Sequence, residues 1–257
     1  MLRILLTNDD GINAEGLEIL EKIASHFSDD VWIVAPETDQ SGMAHSITLS
    51  NPLRLRKLGD RRFCVRGTPT DCVLMALKHI MPEAPDLILS GVNIGGNLAN
   101  DVTYSGTVAG AIEGSLQGIL SVALSQEFRA DEGRRKVHWT TAETFAPPIL
   151  KKLLNLERKS GLFYNLNFPA CEPSRVKNIK IASLGKLSHV VNIDERVDGR
   201  GLPYFWMHFQ RAINSAREDS DIQAVRNDFI SLCPLQLDLT DYHMKRTLEE
   251  LFKEVKL

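Results

Sequence analysis

Apolar residues in the first half of the chain fall into two alternating patterns. Short runs at Leu2–Leu6, Val31–Val34, Asp86–Leu89 and Ile119–Leu124 read as strands buried on both faces. Between them lie stretches of helical spacing. Leu17, Leu20, Ile23, Ala24 and Phe27 mark one helix over 16–27. A second carries Cys72, Val73, Met75, Ala76, Leu77 and Ile80, and starts at the capping box Thr68-Pro69-Thr70-Asp71. A third, Gly106–Gly118, is capped by Ser105 and lined by small residues. Arg54–Lys57 and Arg62–Arg66 flank a Gly-Asp turn and predict a hairpin. This alternation predicts an α/β fold: a mostly parallel sheet, helices on both faces, right-handed crossovers.

After about residue 125 the pattern changes. Glu127–Lys136 is charged and reads as a surface loop. Thr140–Leu154 is a helix that Pro147-Pro148 should kink or start late. Tyr164–Asn167 and Val176–Ile181 are strands, and 192–198 with 204–209 form a hairpin about Gly199-Arg200-Gly201. Such an arm cannot bury both faces by itself. Asp241–Val255 is a terminal amphipathic helix with Leu248, Leu251, Phe252 and Val255 on one side. One unit over 1–257 is expected, with a catalytic core over about 1–125 and an arm plus C-terminal oligomerisation segment over about 186–257.

The composition is that of an ordinary globular chain: 257 residues, 43% hydrophobic and 25% charged. A net charge of −3 supplies no global basic field, so DNA is not an expected partner. No stretch approaches the ~18–20 apolar residues of a membrane helix, and the first apolar run is too short for a signal peptide. The four cysteines form no CxxC pair. Together these features predict a cytoplasmic protein with reduced thiols.

Candidate chemistry gathers after the predicted parallel strands. The first strand is followed by Asn8-Asp9-Asp10, the second by 37–42 with Ser41, the third by 90–97 with Asn93 and Asn97. In open α/β sheets the carboxyl ends of strands form the ligand crevice. Two adjacent carboxylates repel unless a cation or a shared proton joins them. Asp9, Asp10, Ser41 and Asn93 therefore read as an all-oxygen site for a hard divalent cation. The competing reading of Asp9-Asp10 is an Asx-turn and helix cap. Ser105-Gly106-Thr107 at a helix start offers amides, hydroxyls and the positive end of the helix dipole, an anion site suited to phosphate. It is not a Walker A loop, and SGVNIGGN is not a dinucleotide fingerprint. His45 is a second-rank candidate for a general acid, and Ser125-Gln126 borders the pocket. Arg54, Arg56, Lys57, Arg61, Arg62 and Arg66 read as a solvated basic hairpin.

The segments TNDDG, APETDQSG, GTPTDCV, SGVNIGGN and YSGTVAGAIEG, in this order, resemble the SurE (survival protein E) family. The resemblance implies a Rossmann-like sheet with a protruding hairpin arm and an exchanged C-terminal segment in a homodimer or homotetramer. It implies metal-dependent hydrolysis of nucleoside 5′- and 3′-monophosphates, with one Mg²⁺ or Mn²⁺ per subunit. Carried over by motif, the metal ligands are Asp9, Asp10, Ser41 and Asn93. The phosphate contacts are Asn97, Ser105, Gly106 and Thr107, and the catalytic set is Asp9, Asp10 and Asn97. Two rival readings are a haloacid-dehalogenase-like phosphatase, which needs an Asp-x-Asp spacing that is absent, and a non-catalytic nucleotide sensor.

Overall fold

The computed structural model describes residues 2–157, 159–212, 217–253 and 255. The ends of the 1–257 span, residues 213–216 of the C-terminal segment and residues 158 and 254 lie outside them. The strands are β1 (Ile4–Thr7), β2 (Val31–Pro36), β3 (Leu55–Lys57), β4 (Arg62–Val65), β5 (Leu87–Ile94), β6 (Leu120–Gln126), β7 (Phe128–Asp131), β8 (Arg134–Val137), β9 (Leu162–Phe168), β10 (Ile179–Ile181), β11 (Ser188–Val197), β12 (Pro203–Ala212) and β13 (Ile230–Gln236). The α-helices are α1 (Glu15–Ser25), α2 (Pro69–Met75), α3 (Gly106–Leu116), α4 (Trp139–Leu153), α5 (Asp221–Arg226) and α6 (Tyr242–Leu251).

Nine strands form one sheet in the order β10-β13-β9-β6-β5-β1-β2-β4-β3. Pairing is parallel except where β3 meets β4 and β13 meets β9. From β1 the chain winds outward through β2 and β4, then returns to β5 on the other side of β1. The strand order therefore reverses between β1 and β5, where a doubly wound sheet opens its crevice.

Period-2 alternation along β1 sends Ile4 and Leu6 into one core and Leu5 into the other. The first core includes Leu17, Leu20 and Ile23 of α1 and Leu150 and Leu153 of α4; the second takes Cys72 and Val73 of α2. Reciprocal bonds complete the capping box of α2: Asp71 N–H donates to Thr68 Oγ1 (3.2 Å) and Thr68 N–H to Asp71 Oδ2 (2.8 Å). On α3, a Cβ at Gly110 would lie 2.7 Å from Ser90 Oγ, so the glycine lets the helix settle onto β5 and β1.

Several local expectations need correction. β5 runs on through Ile94 and so takes in the first part of the glycine-rich segment. Residues 127–136 are not a loop: β7 and β8 pair around Glu132-Gly133, both with positive φ, as a two-residue hairpin turn requires. α4 starts at Trp139, before Pro147-Pro148, and continues past them, because its buried face of Ala142, Ala146, Leu150 and Leu153 outweighs the lost backbone bonds. β10 starts only at Ile179, and α6 stops at Leu251. α5 and β13 were absent from the sequence reading. Pro234 argues against a central strand, but β10 pairs only with Ile230–Leu232, so Pro234 lies where β13 has one strand neighbour.

β11 and β12 form a separate two-stranded arm on which Ile193, Trp206 and Met207 are exposed. A fully buried carboxylate ties the arm's base to the sheet edge. Asp221 accepts the backbone N–H groups of Ala99 (2.7 Å), Gly185 (2.8 Å) and Ile222 (2.8 Å). Removing it strands buried donors at about 1–3 kcal/mol each. Asp221→Ala should therefore lower unfolding free energy by about 2–5 kcal/mol in urea titration; a loss under about 0.5 kcal/mol would refute this clamp.

Candidate active site

The end of β1 is shaped by an Asx-turn at Asn8, which accepts the Gly11 N–H (3.2 Å) and donates to the Gly11 carbonyl (2.9 Å). Asp9 and Asp10 do not cap α1. Its N-cap is Ala14, with no side-chain bond. The cap reading fails for this physical reason, and both carboxylates are directed to a cavity of about 400 Å³. Asp10, Ser41, Asn93, Asn97 and Ser105 line that cavity with Asp9. The loop after β2 is tethered there by Gln40 N–H donating to the Asp9 carbonyl (2.8 Å). Ser41 N–H donates to Asp39 Oδ1 (2.7 Å), which fixes the turn that carries the Ser41 hydroxyl.

The extra length of β5 places Asn93. Its amide nitrogen donates to the Gly95 carbonyl (2.7 Å), which leaves Oδ1 as the oxygen for the cavity. Asn97 is clamped on several sides. Its N–H donates to Asn167 Oδ1 (2.9 Å), its carbonyl accepts from the side chains of Asn165 (2.8 Å) and Asn167 (3.2 Å), and its amide nitrogen donates to Ser125 Oγ (2.9 Å).

α3 approaches end-on. Ser105 Oγ accepts the Val108 N–H (3.1 Å) while lining the cavity. Gly106 and Thr107 lie behind Asp9. A Cβ on Gly106 would sit 2.7 Å from Asp9 Cβ. The fully buried Thr107 hydroxyl donates to Asp9 Oδ1 (2.5 Å).

Burial pushes the Asp9 carboxyl up; the Thr107 hydroxyl and the backbone amides of Asp9 and Thr107 oppose that rise. Asp10 is pushed up to about 7 by burial and by the charges of Asp9 and Asp39, against the pull of Arg135. The carboxylates are thus short of positive charge. No cluster of three or more His, Cys, Asp or Glu side chains suited to a metal occurs among the described residues. A cation here depends on the Ser41 hydroxyl and Asn93 Oδ1 as well as on the carboxylates. That all-oxygen donor set fits a hard divalent ion.

Other candidates fall away from the cavity. His45 Nε2 lies 3.1 Å from Glu113 Oε2 on α3, and the histidine does not line the cavity. Ser125 supports Asn97 from behind. The basic hairpin is locally neutralised, Arg56 by Glu37 (2.9 Å), Arg61 by Asp30 (3.2 Å) and Arg62 by Glu21 (3.0 Å). The sequence reading missed Arg135. It lines the cavity from β8, with its guanidinium 4.9 Å from the centre of the Phe128 ring. Its signal was the Glu132-Gly133 turn. It also missed Asn165 and Asn167, whose i, i+2 spacing on β9 puts both on one face.

The family described as "Survival protein SurE" matches residues 4–190. A Brucella anthropi protein named 5'-nucleotidase SurE is 59% identical over 256 residues, covering 100% of this chain and 99% of its own. One of the same name from Brucella canis is 58% identical over 247 residues, covering 96% and 97%. The crystal structure of a SurE protein from Aquifex aeolicus matches with a TM-score of 0.82 at 36% identity, over 97% of this chain and 99% of that one. The motifs that meet at the β1/β5 crevice are thus embedded in a likeness that spans the whole chain, and the chain belongs to the SurE family.

Proposed function

We propose that this chain is a metal-dependent 5′-nucleotidase, hydrolysing nucleoside 5′-monophosphates, and 3′-monophosphates, to nucleoside and phosphate. One observation carries the reading: adjacent carboxylates, Asp9 buried and Asp10 half-buried, share a cavity with a helix start at the sheet's switch point. Asp9, Asp10, Ser41 Oγ and Asn93 Oδ1 would hold one Mg²⁺ or Mn²⁺ per subunit. Bound there, such an ion supplies charge neutralisation at the phosphoryl oxygens and lowers the pKa of a coordinated water.

Phosphoryl transfer asks the protein chiefly for positioning and electrostatics. Asn97 and Ser105 hold phosphate oxygens from the cavity wall. Arg135 brings a guanidinium to the same cavity and suits oxygens that carry negative charge. Asp10, more open than Asp9, accepts a hydrogen bond from the attacking water. Gly106 and Thr107, expected on the phosphate, act through Asp9: one makes room for it and the other fixes its Oδ1.

The chain would work as one unit over 1–257, as a homodimer or homotetramer joined through about 186–257, in the cytoplasm. The arm and α6 support this, since Phe205, Trp206, Met207, Leu251 and Phe252 are all at least half exposed. No helix among the described residues is long and apolar enough to cross a membrane.

The direct assay is phosphate release from AMP with Mn²⁺, abolished by exhaustive EDTA treatment and restored by the metal. Undiminished hydrolysis in EDTA would remove the metal from the reaction, and no release under any metal would leave the sensor reading.

Thr107→Val keeps shape but drops the bond to Asp9. kcat/KM for AMP should fall roughly five- to 150-fold, which is about 1–3 kcal/mol. Wild-type kinetics would make Thr107 a plain core residue.

The raised carboxyls also set a pH dependence. In the metal-free fold both hold protons more tightly than in the unfolded chain, so their contribution is full below the ordinary value of 3.8 and is lost as pH rises, for Asp10 through about 7. The metal-free melting temperature should drop between pH 5 and pH 8, and Asp10→Asn should flatten that slope. An identical slope in the variant would contradict the assignment.

Light scattering should give at least twice the chain's 28.7 kDa at micromolar concentration. A monodisperse monomer would defeat the oligomer.

A further inference from the structure

Beside the carboxylate cavity lies another of about 410 Å³, and Asp101 lines both. Gly96 and Leu98 face the second cavity, whereas Asn97 between them faces the first. The backbone at Leu98 is extended (φ −120, ψ 151), and successive side chains in extended chain alternate in direction. Leu98, Leu187 and Ile222 pack together with Ala99 as a small apolar cluster, and Val225 adds to the same wall. Arg226 stands exposed at its mouth.

This space is built rather than incidental. Asp221 holds Ala99, and Asn100 exchanges bonds with the Leu187 backbone, donating to its carbonyl (3.2 Å) and accepting its N–H (2.8 Å). The partition between the cavities is therefore pinned both to α5 and to the base of the arm. The volume falls in the range of roughly 300–1,000 Å³ that houses small organic ligands, and the lining combines the apolar wall with charged side chains, Asp101, Glu127, Arg129, Arg226 and Asp228.

We propose that the second cavity is the nucleoside pocket of the same active site, an inference that rests on the phosphatase reading above. With the phosphate on Asn97 and Ser105, an ester's organic group must leave across the Asp101 rim. There a carboxylate meets sugar hydroxyls, which are donors. Beyond it the faces of a nucleobase lie against Leu98, Leu187, Ile222 and Val225, and the Arg226 guanidinium reaches the acceptor edge of the base. A bare sugar phosphate would fill only the rim. Base selection is thus placed on the arm root and α5, apart from the segment that carries the carboxylates.

The test compares AMP with ribose 5-phosphate under Mn²⁺, in the full chain and in Val225→Trp and Arg226→Ala. The wild-type kcat/KM should be at least tenfold higher for AMP. Val225→Trp should cut the AMP to ribose 5-phosphate ratio at least tenfold, and Arg226→Ala, at an exposed site that threatens no packing, at least threefold. Equal kcat/KM for both esters in the wild type, or an unchanged ratio in folded Val225→Trp and in Arg226→Ala, overturns the pocket alone. No phosphate release from either ester overturns the phosphatase reading and the pocket with it.

Discussion

The structure depends on one electrostatic constraint: adjacent carboxylates, Asp9 and Asp10, are held in a partly dehydrated crevice with Asp39 nearby. Unit charges about 4 Å apart at an effective dielectric of about 20 interact by about 4 kcal/mol. A repulsion of that size is comparable to much of a small domain's net stability. Burial raises both carboxyls, and at Asp10 the charges of Asp9 and Asp39 add to the rise. A fold that keeps such a pair must support it rigidly and give it a positive partner, and the surrounding architecture is readable as meeting those requirements.

Rigidity comes from satisfied polar groups more than from bulk. Asp9 is held by Thr107 and approached by a helix whose glycine leaves room for its Cβ. Asn97 is held through its N–H, carbonyl and side chain by β6 and β9. Asp221 carries the same logic outward, joining the turn at Ala99 to the arm base and α5. Each of these groups is buried, where an unpaired donor or acceptor is costly. The site is consequently part of the folding unit, and loss of one clamp should move a reacting group by distances that matter for catalysis.

Much of this was legible in the sequence. β1, β2, β4, β6 and helices α1–α3 followed from apolar runs, helical spacing and the Thr68 capping box, because those signals are local. The convergence of Asp9, Asp10, Ser41, Asn93 and Asn97 on one sheet edge followed from strand order, and Ser105 was read separately from its place at a helix start. What escaped depends on distant partners. Charge around Arg135 masked the Glu132-Gly133 hairpin turn. Pro234 disguised β13, whose short neighbour β10 makes that proline acceptable. Thr107 looked like a phosphate ligand because its hydroxyl belongs to a Ser-Gly-Thr helix start, and only packing shows that hydroxyl turned onto Asp9.

The most direct test of the central claim is anomalous diffraction from crystals of the chain soaked in Mn²⁺. The account predicts one strong manganese peak per subunit, bounded by Asp9, Asp10, Ser41 Oγ and Asn93 Oδ1, and lost in Asp9→Asn crystals. A cavity without a peak in crystals that hydrolyse AMP, or a peak coordinated elsewhere, would contradict it.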